Sequence, residues 1–377
     1  MKSIVFLCDD AREVGGVQRV LATLAREFSR RGYHVVILSL AERAAGGFDY
    51  GNAERGTLFT ESRLHRFLQR PALGNLHLRG RRLFRLRPIA YRRAQTKLRN
   101  LVDRLRPDAI IVFDTLMAEI ATEAHLKDSK IIVQFHNSFA SIADGHVISA
   151  LRRVSGRASA FLALTEEDAE QFDRAGVARA TAMPNPVSFY PAAVPDVEDR
   201  QRRVVAIGRL HPQKDFTMLV EAWATAERPA GWHLDIYGEG FERSAIQDAI
   251  ERHQLTNSVT LHSPSREVEA LLSRAAIFAL SSRYEGLCMV ALEALACGLP
   301  IVSTRSGPGT TQLVKSCGLL SEIGDVHGFA ANLTRLMNEP ELRRMFSTAG
   351  RMKARQYDID ETVTRWQRLI DDLPYAC

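Results

Sequence analysis

The stretch Glu285–Gly298, EGLCMVALEALACG, decides how the rest of the chain is read. Ahead of it, Ala275–Leu280 is a run of small and branched apolar residues, which predicts a buried strand. Behind it, Leu299 and Pro300 lead into a second strand-like run, Ile301–Thr304. The segment between carries Leu287, Met289, Val290, Leu292, Leu295 and Cys297. It is apolar nearly all round and predicts a helix inside a core. Gly298 is a natural stop for that helix, with Pro300 behind it. Glu293 breaks the pattern. A carboxylate in an apolar surface is costly unless hydrogen-bond donors surround it, and the two hydroxyls of a ribose would serve. Glu285 stands eight positions earlier, in the loop where the first strand ends. The free backbone N–H groups at Leu287 and Cys288 would favour an anion.

Working outward, the 377 residues suffice for two domains, each with its own core. Apolar content of 46% and charged content of 25% predict a soluble globular protein. No apolar run approaches the roughly 18 residues that a membrane span needs. Ser3–Cys8 is too short for a signal-peptide core and runs into Asp9 and Asp10, so a cytoplasmic location is expected. Cys8, Cys288, Cys297, Cys317 and Cys377 include no CxxC pair, which predicts reduced thiols and no zinc site. From Ser62 to Val102 there are twelve Lys or Arg and no Asp or Glu; set against a total of +6, that leaves the remainder net −6. The basic character therefore belongs to one local surface. Its aromatics, Phe67, Phe84 and Tyr91, are too few and irregular for a nucleic-acid stacking platform. Pro71, Gly74, Gly80 and Pro88 are expected to prevent one long helix there, with helical spacing only over Arg63–Gln69 and Tyr91–Leu101.

The chain opens as strand Ser3–Cys8, a loop ending in Gly15-Gly16, a helix over Val17–Arg31 and a strand over His34–Leu40. That βαβ start predicts an α/β fold with a Rossmann-like parallel sheet. Gly46–Glu61 is polar and irregular. Strands follow at Ala109–Phe113, at Lys130–Phe135, which ends in His136-Asn137, and at Ala158–Ala163. Thr165 with Glu166-Glu167-Asp168 marks a helix start. Phe189–Arg202, with two prolines and mixed charge, reads as a linker. The pattern then restarts: strand Val204–Ile207, Gly208-Arg209-Leu210, Lys214, and a helix from Met218. Two cations in a strand-to-helix loop can clamp a diphosphate. Gly238-Glu239-Gly240 after the strand His233–Tyr237 lacks the third glycine of a dinucleotide fingerprint, which excludes NAD. Gly307-Pro308-Gly309-Thr310-Thr311 reads as a flexible loop, and Ile359–Leu373 as an amphipathic helix.

The spacing E-x7-E from Glu285 to Glu293, with Gly286 after the first, resembles the retaining glycosyltransferases of family 4, which have the GT-B fold. Gly15-Gly16, Met183-Pro184-Asn185-Pro186-Val187, Gly208-Arg209-Leu210 with Lys214, and Gly238-Glu239-Gly240 match that family's motifs in order, although Asp215 stands where the family often has glycine. The resemblance implies two Rossmann-like domains facing a cleft: an acceptor-binding domain at 1–187, a donor-binding domain at 201–358, and a C-terminal helix at about 359–377 packing back on the first. It implies that Glu285 holds the donor sugar and Glu293 the ribose. Gly286, Leu287, Cys288, Gly15 and Gly16 would line the diphosphate, with Arg209 and Lys214 binding it, and Gly238 would belong to the donor site. His136 would contact the sugar, and the loop at Arg266 would meet the base.

The reading is thus a retaining glycosyltransferase that moves a hexose or N-acetylhexosamine from a nucleotide sugar, UDP-linked, to a lipid-linked, cell-envelope polysaccharide or other anionic acceptor. His136, Glu285, Arg209 and Lys214 are its catalytic candidates. No D-x-D triplet offers a metal site, so metal-independent chemistry without a cofactor is expected. Ser62–Val102 is expected to meet an anionic membrane surface, which would place the chain at the inner face of the cell membrane; no nucleic-acid partner is expected. The alternatives are a GT-B epimerase or hydrolase that needs no acceptor, a nucleotide- or membrane-binding protein whose catalysis has lapsed, and an RNA-binding role for the basic segment.

Overall fold

The computed structural model describes residues 2–13, 15–41, 46–59, 81–126, 129–142 and 145–374; at 59 and 81–90 it describes the backbone alone. Two compact units emerge: Met1–Pro186 with Ile359–Cys377, and Val187–Asp358.

The first unit is built on seven strands, β1 (Ser3–Cys8), β2 (His34–Ala41), β3 (Glu54–Phe59), β4 (Ala109–Val112), β5 (Lys130–Gln134), β6 (Ala160–Ala163) and β7 (Ala180–Ala182). Their order is β3-β2-β1-β4-β5-β6-β7, and all pairings are parallel. The central strands are buried on both faces, which is why SIVFLC and AIIV read as continuous apolar runs rather than alternating ones. Two edge strands were not visible in the sequence. ERGTLF pairs with β2 from Val36↔Glu54 to Ala41↔Phe59, inside the stretch expected to be irregular. ATA pairs with β6. Edge strands are short and tolerate charge, so their pattern is weak.

Helices α1 (Gly16–Arg30), α2 (Arg81–Leu105), α3 (Thr115–Glu123), α4 (Gly145–Arg157) and α5 (Glu166–Arg174) cross between these strands. In α2 the expectation of a break fails: the helix runs 25 residues through Pro88. Proline removes one i→i−4 bond and bends a helix without necessarily ending it. Ala94, Leu98 and Val102 face the core of this unit, and Arg92 and Arg93 are exposed. Lys97 Nζ donates to Leu58 O at 2.7 Å and Arg99 Nε to Ala124 O at 2.8 Å. The rest of the basic segment, 62–80, lies outside the described residues, as does Cys377.

The second unit repeats the plan. Strands β8 (Arg203–Ile207), β9 (His233–Tyr237), β10 (Val259–His262), β11 (Ile277–Leu280), β12 (Ile301–Thr304) and β13 (Gly318–Ser321) take the order β10-β9-β8-β11-β12-β13, again parallel throughout. The covering helices are α6 (Phe216–Thr225), α7 (Arg243–Arg252), α8 (Val268–Arg274), α9 (Met289–Ala296), α10 (Pro308–Val314), α11 (Val326–Asn338) and α12 (Pro340–Arg355). The last helix, α13 (Ile359–Asp372), belongs to the first unit. Helix α10 replaces the expected flexible loop at Gly307–Thr311, because Pro308 at its first position is preset for a helix. Helix α9 ends as its sequence predicts. Gly298 has φ +71°, its N–H bonds Leu295 O at 2.9 Å, and Leu299 N bonds Ala294 O at 2.9 Å, the Schellman pattern. The segment expected to be a linker docks on this unit instead. Arg200 is 6% exposed and donates to the carbonyls of Ser273, Ala275 and Cys297.

Candidate active site

Each sheet reverses its winding between two central strands, β1/β4 in the first unit and β8/β11 in the second. Crevices at the carboxyl ends of such strands are where doubly wound sheets bind ligands. In the second unit the loops leaving β8 and β11 are joined over that point. Ser281 Oγ donates to Lys214 O at 2.7 Å, Arg283 N to Gln213 O at 2.8 Å, and Gln213 Nε2 to Tyr284 O at 2.9 Å. Arg283 Nε pairs with Asp215 Oδ2 at 2.9 Å. Asp215 itself sits at φ 47°, the left-handed conformation that suits the glycine the family often has there.

This frame brings Lys214 and Glu285 together. Lys214 Nζ lies 2.6 Å from Glu285 Oε1, and their side chains are 13% and 10% exposed. Ser282 Oγ donates to the same oxygen at 2.7 Å, and Glu285 N donates to Ser306 O at 2.6 Å. Burial works against the Lys214 ammonium, but the neighbouring Glu285 outweighs it and lifts the pKa above the usual lysine value. The lysine therefore stays charged. Arg209 is exposed, with its guanidinium 3.5 Å from Gln213 Oε1, and its charge opposes that of Lys214.

Cys288 is the N-cap of α9, in extended backbone just ahead of the helix's first N–H groups. Burial, then the nearby Glu285, pushes its thiol up to about 12. Gly286 and Leu287 are buried beside it. Glu293 is 1% exposed inside α9, where it interacts with other groups of the fold. Gly238 explains itself through packing: a Cβ there would lie 2.0 Å from Gly208 O, so the glycine lets two loops touch. Arg266 is exposed in the loop between β10 and α8.

In the first unit, Gly15 caps α1 in extended backbone after β1, with Gly16 as the first helical residue. His136 follows the end of β5. Phe113 meets its ring edge-on at 5.0 Å, and Asn185 Nδ2 lies 3.5 Å from its Nδ1. Its Nε2 is buried with no hydrogen-bond partner among the described residues. Burial alone pushes the imidazole down to about 3, so the ring is neutral near pH 7. Lys214, Glu285, Cys288 and Glu293 thus gather in the second unit, and Gly15, Gly16 and His136 lie in the first. Ser282, Gln213 and Asn185 join these residues through the fold and are not among the candidates that the sequence marks. The serine pair Ser281-Ser282 directly after an apolar strand was the available signal.

A family model described as Glycosyl transferases group 1 matches residues 193–353, and one described as Glycosyltransferase Family 4 matches residues 14–189. An uncharacterized glycosyltransferase of Haemophilus influenzae is 25% identical over 98% of this chain and 100% of its own. The amylovoran biosynthesis glycosyltransferase AmsD of Erwinia amylovora is 30% identical over 46% of this chain and 49% of its own. Among solved structures, a mutant of S. aureus TarM in complex with Fondaparinux, alpha-GlcNAc-glycerol and UDP aligns with a TM-score of 0.79 at 13% identity, covering 99% of this chain and 100% of that one. Anabaena HepE in complex with UDP and glucose aligns with a TM-score of 0.76 at 18% identity, covering 99% and 100%.

Proposed function

This chain belongs to glycosyltransferase family 4, with the GT-B fold, and on that premise we propose that it transfers a hexose or N-acetylhexosamine from a UDP-sugar to a cell-envelope glycan acceptor, with retention at the anomeric carbon. The observation that carries the proposal is the Lys214–Glu285 pair, 2.6 Å apart and nearly buried at the switch point of the second sheet. An ammonium has three donors and Glu285 takes one of them. The others can reach phosphate oxygens. Negative charge grows on the departing diphosphate, so a fixed cation stabilises the transition state more than the ground state. Arg209 adds a second, exposed cation.

In this reading the acceptor hydroxyl attacks the anomeric carbon from the face the diphosphate leaves. The new C–O bond forms as the C–O bond to phosphate breaks, and the hydroxyl proton passes to the leaving phosphate. Glu285 orients the sugar, Glu293 binds the ribose and the first amides of α9 face the diphosphate. No metal is required in this scheme, because Lys214 and Arg209 supply the charge. The UDP named with HepE and TarM and the lipopolysaccharide core biosynthesis in the name of LpsE, a Rhizobium meliloti relative, support the choice of donor and acceptor class. The basic segment 62–102 would bring the chain to an anionic membrane surface.

A screen of UDP-, GDP- and ADP-sugars for slow hydrolysis without acceptor tests the donor. UDP-sugar is expected to be consumed, in EDTA as well. Lys214→Ala is expected to lower kcat about 100-fold or more, the cost of removing one preorganised donor to developing charge. A raised KM at unchanged kcat would refute the role given to Lys214, and full conversion of the donor to an epimer would replace transfer with epimerisation.

A further inference from the structure

We propose that Gln134 and Asn185 are positioning residues that fix His136 in its Nε2–H tautomer, so that this histidine meets the ligand as a hydrogen-bond donor and not as a base. The inference rests on the reading above only in taking His136 as a ligand contact. The relay starts at a backbone carbonyl, which can only accept. Met183 O accepts from Gln134 Nε2 at 3.0 Å, which settles which way round the Gln134 amide lies. The same Nε2 faces Asn185 Oδ1 at 3.4 Å. An N–H group opposite Asn185 requires an oxygen there, so the Asn185 amide is settled too, and its Nδ2 is turned toward His136 Nδ1 at 3.5 Å. An amide NH2 can only donate. Nδ1 must therefore accept, and in a neutral imidazole the proton then sits on Nε2.

Among the described residues that Nε2, like Gln134 Oε1, is buried with no hydrogen-bond partner. A buried N–H without an acceptor is rare and costly, so it points to a ligand oxygen. Asn185 is 2% exposed and Gln134 1%, both too enclosed to exchange their bonds for water. Phe113, edge-on at 5.0 Å, restricts the ring from its side. The relay passes a fixed polarity from the main chain through two amides to a ring nitrogen. A hydroxyl oxygen of the sugar is the acceptor it suits, and a His136 so held has no free lone pair to take a proton from an attacking hydroxyl.

Nitrogen-15 NMR of the whole chain, without donor or acceptor, reads the tautomer directly, because the protonated and bare ring nitrogens resonate far apart. The wild type is expected to show Nε2–H, with Nδ1 bare and no titration from about pH 5 to 8. Nδ1–H or an imidazolium at neutral pH would overturn the proposal. Asn185→Asp places an acceptor against Nδ1 and is expected to move the proton to Nδ1 or charge the ring. Gln134→Glu tests the relay one residue further away. Its carboxylate would turn the Asn185 amide round and present Oδ1 to the ring, so the tautomer is expected to switch although His136 and its neighbour are untouched. A wild-type pattern retained in both variants refutes the relay. In a transfer assay each switched variant is expected to lose about 100-fold in kcat/KM, the scale for one misdirected donor. The NMR result stands whether or not the chain transfers sugar, so failure of the functional reading and failure of this one are distinguishable.

Discussion

At the scale of single residues, the Lys214–Glu285 pair shows what a buried ion pair demands. Two charges with side chains 13% and 10% exposed lose most of their hydration, and each is tolerable only through the other and through Ser282. Removing one partner is worse than removing both. Glu285→Gln keeps a group that Ser282 can bond but leaves the ammonium unmatched, so it is expected to cost about 3 kcal/mol at neutral pH. The pH dependence has a definite sign. In the wild type the folded-state pKa of Lys214 lies above the ordinary 10.5, so the pair's contribution is fully present below 10.5 and fades as pH rises through the higher folded value. In Glu285→Gln the upward push is gone and burial remains, so the folded pKa falls below 10.5. The stability difference between the two chains should then be largest near neutrality and shrink toward alkaline pH. Urea unfolding of both chains from pH 7 to 11 measures it, and a difference that grows with pH would contradict the assignment. Lys214 and Glu285 were each visible in the sequence as site candidates. Their direct contact was not, since 71 positions separate them.

At the scale of elements, what matters is how closely loops approach. The loop after β8 carries Arg209 and Lys214, and it rests on the loop after β9 through Leu210 N→Glu239 O at 2.8 Å and Gly208 N→Tyr237 O at 3.0 Å. Gly238 has no room for a Cβ, which would sit 2.0 Å from Gly208 O. Gly238→Ala is therefore expected to push the Gly208–Leu210 loop away and lower both stability, by about 1–3 kcal/mol, and the kcat for donor turnover. Gly156 is the contrasting case. It lies near the end of α4 with nothing within 4 Å of an added Cβ, so Gly156→Ala is expected to stabilise by about 0.5–1 kcal/mol with kcat unchanged. Thermal unfolding of the two variants beside a donor-hydrolysis assay separates close approach from mere backbone entropy. Equal effects from both substitutions would show that the loops yield. The sequence pattern found the helices and central strands because their apolar periodicity is local. It missed β3 and β7, whose pairing with β2 and β6 is decided by which edge stands open.

At the scale of the whole molecule, the two units differ in how the chain builds them. The second is continuous from Val187 to Asp358, whereas the first needs both Met1–Pro186 and the tail from Ile359. The tail is not ornamental to that unit. Val363, Trp366 and Ile370 of α13 are buried, Lys130 Nζ donates to Ile370 O at 2.6 Å, and Arg31 bonds Thr364, Gln367 and Asp360. Trp366→Ala is expected to destabilise the first unit by about 3–5 kcal/mol. A chain ending at 358 is expected to lose cooperative unfolding of the first unit, while 187–358 made alone should fold with its own core. Circular dichroism melts of these chains decide it, and a cooperative melt of 1–186 by itself would show that the tail is dispensable.

The sequence alone was enough to establish two parallel α/β halves and the buried helix that stops at Gly298, and it marked Arg209, Lys214, Glu285 and Glu293 in order along the chain. Those features rest on local periodicity, on glycine and proline stops, and on residues within one turn or one loop of each other. Only the tertiary structure decided that Lys214 meets Glu285, that Arg200 anchors the supposed linker and that Pro88 lies within a continuous helix. It alone also showed which way the amides of Gln134 and Asn185 face. For the ion pair and the two amides the physical reason is the same. Strand order brings distant loops to one switch point, and a polar group's orientation is fixed by the partner that arrives there, which no neighbouring residue in the chain encodes.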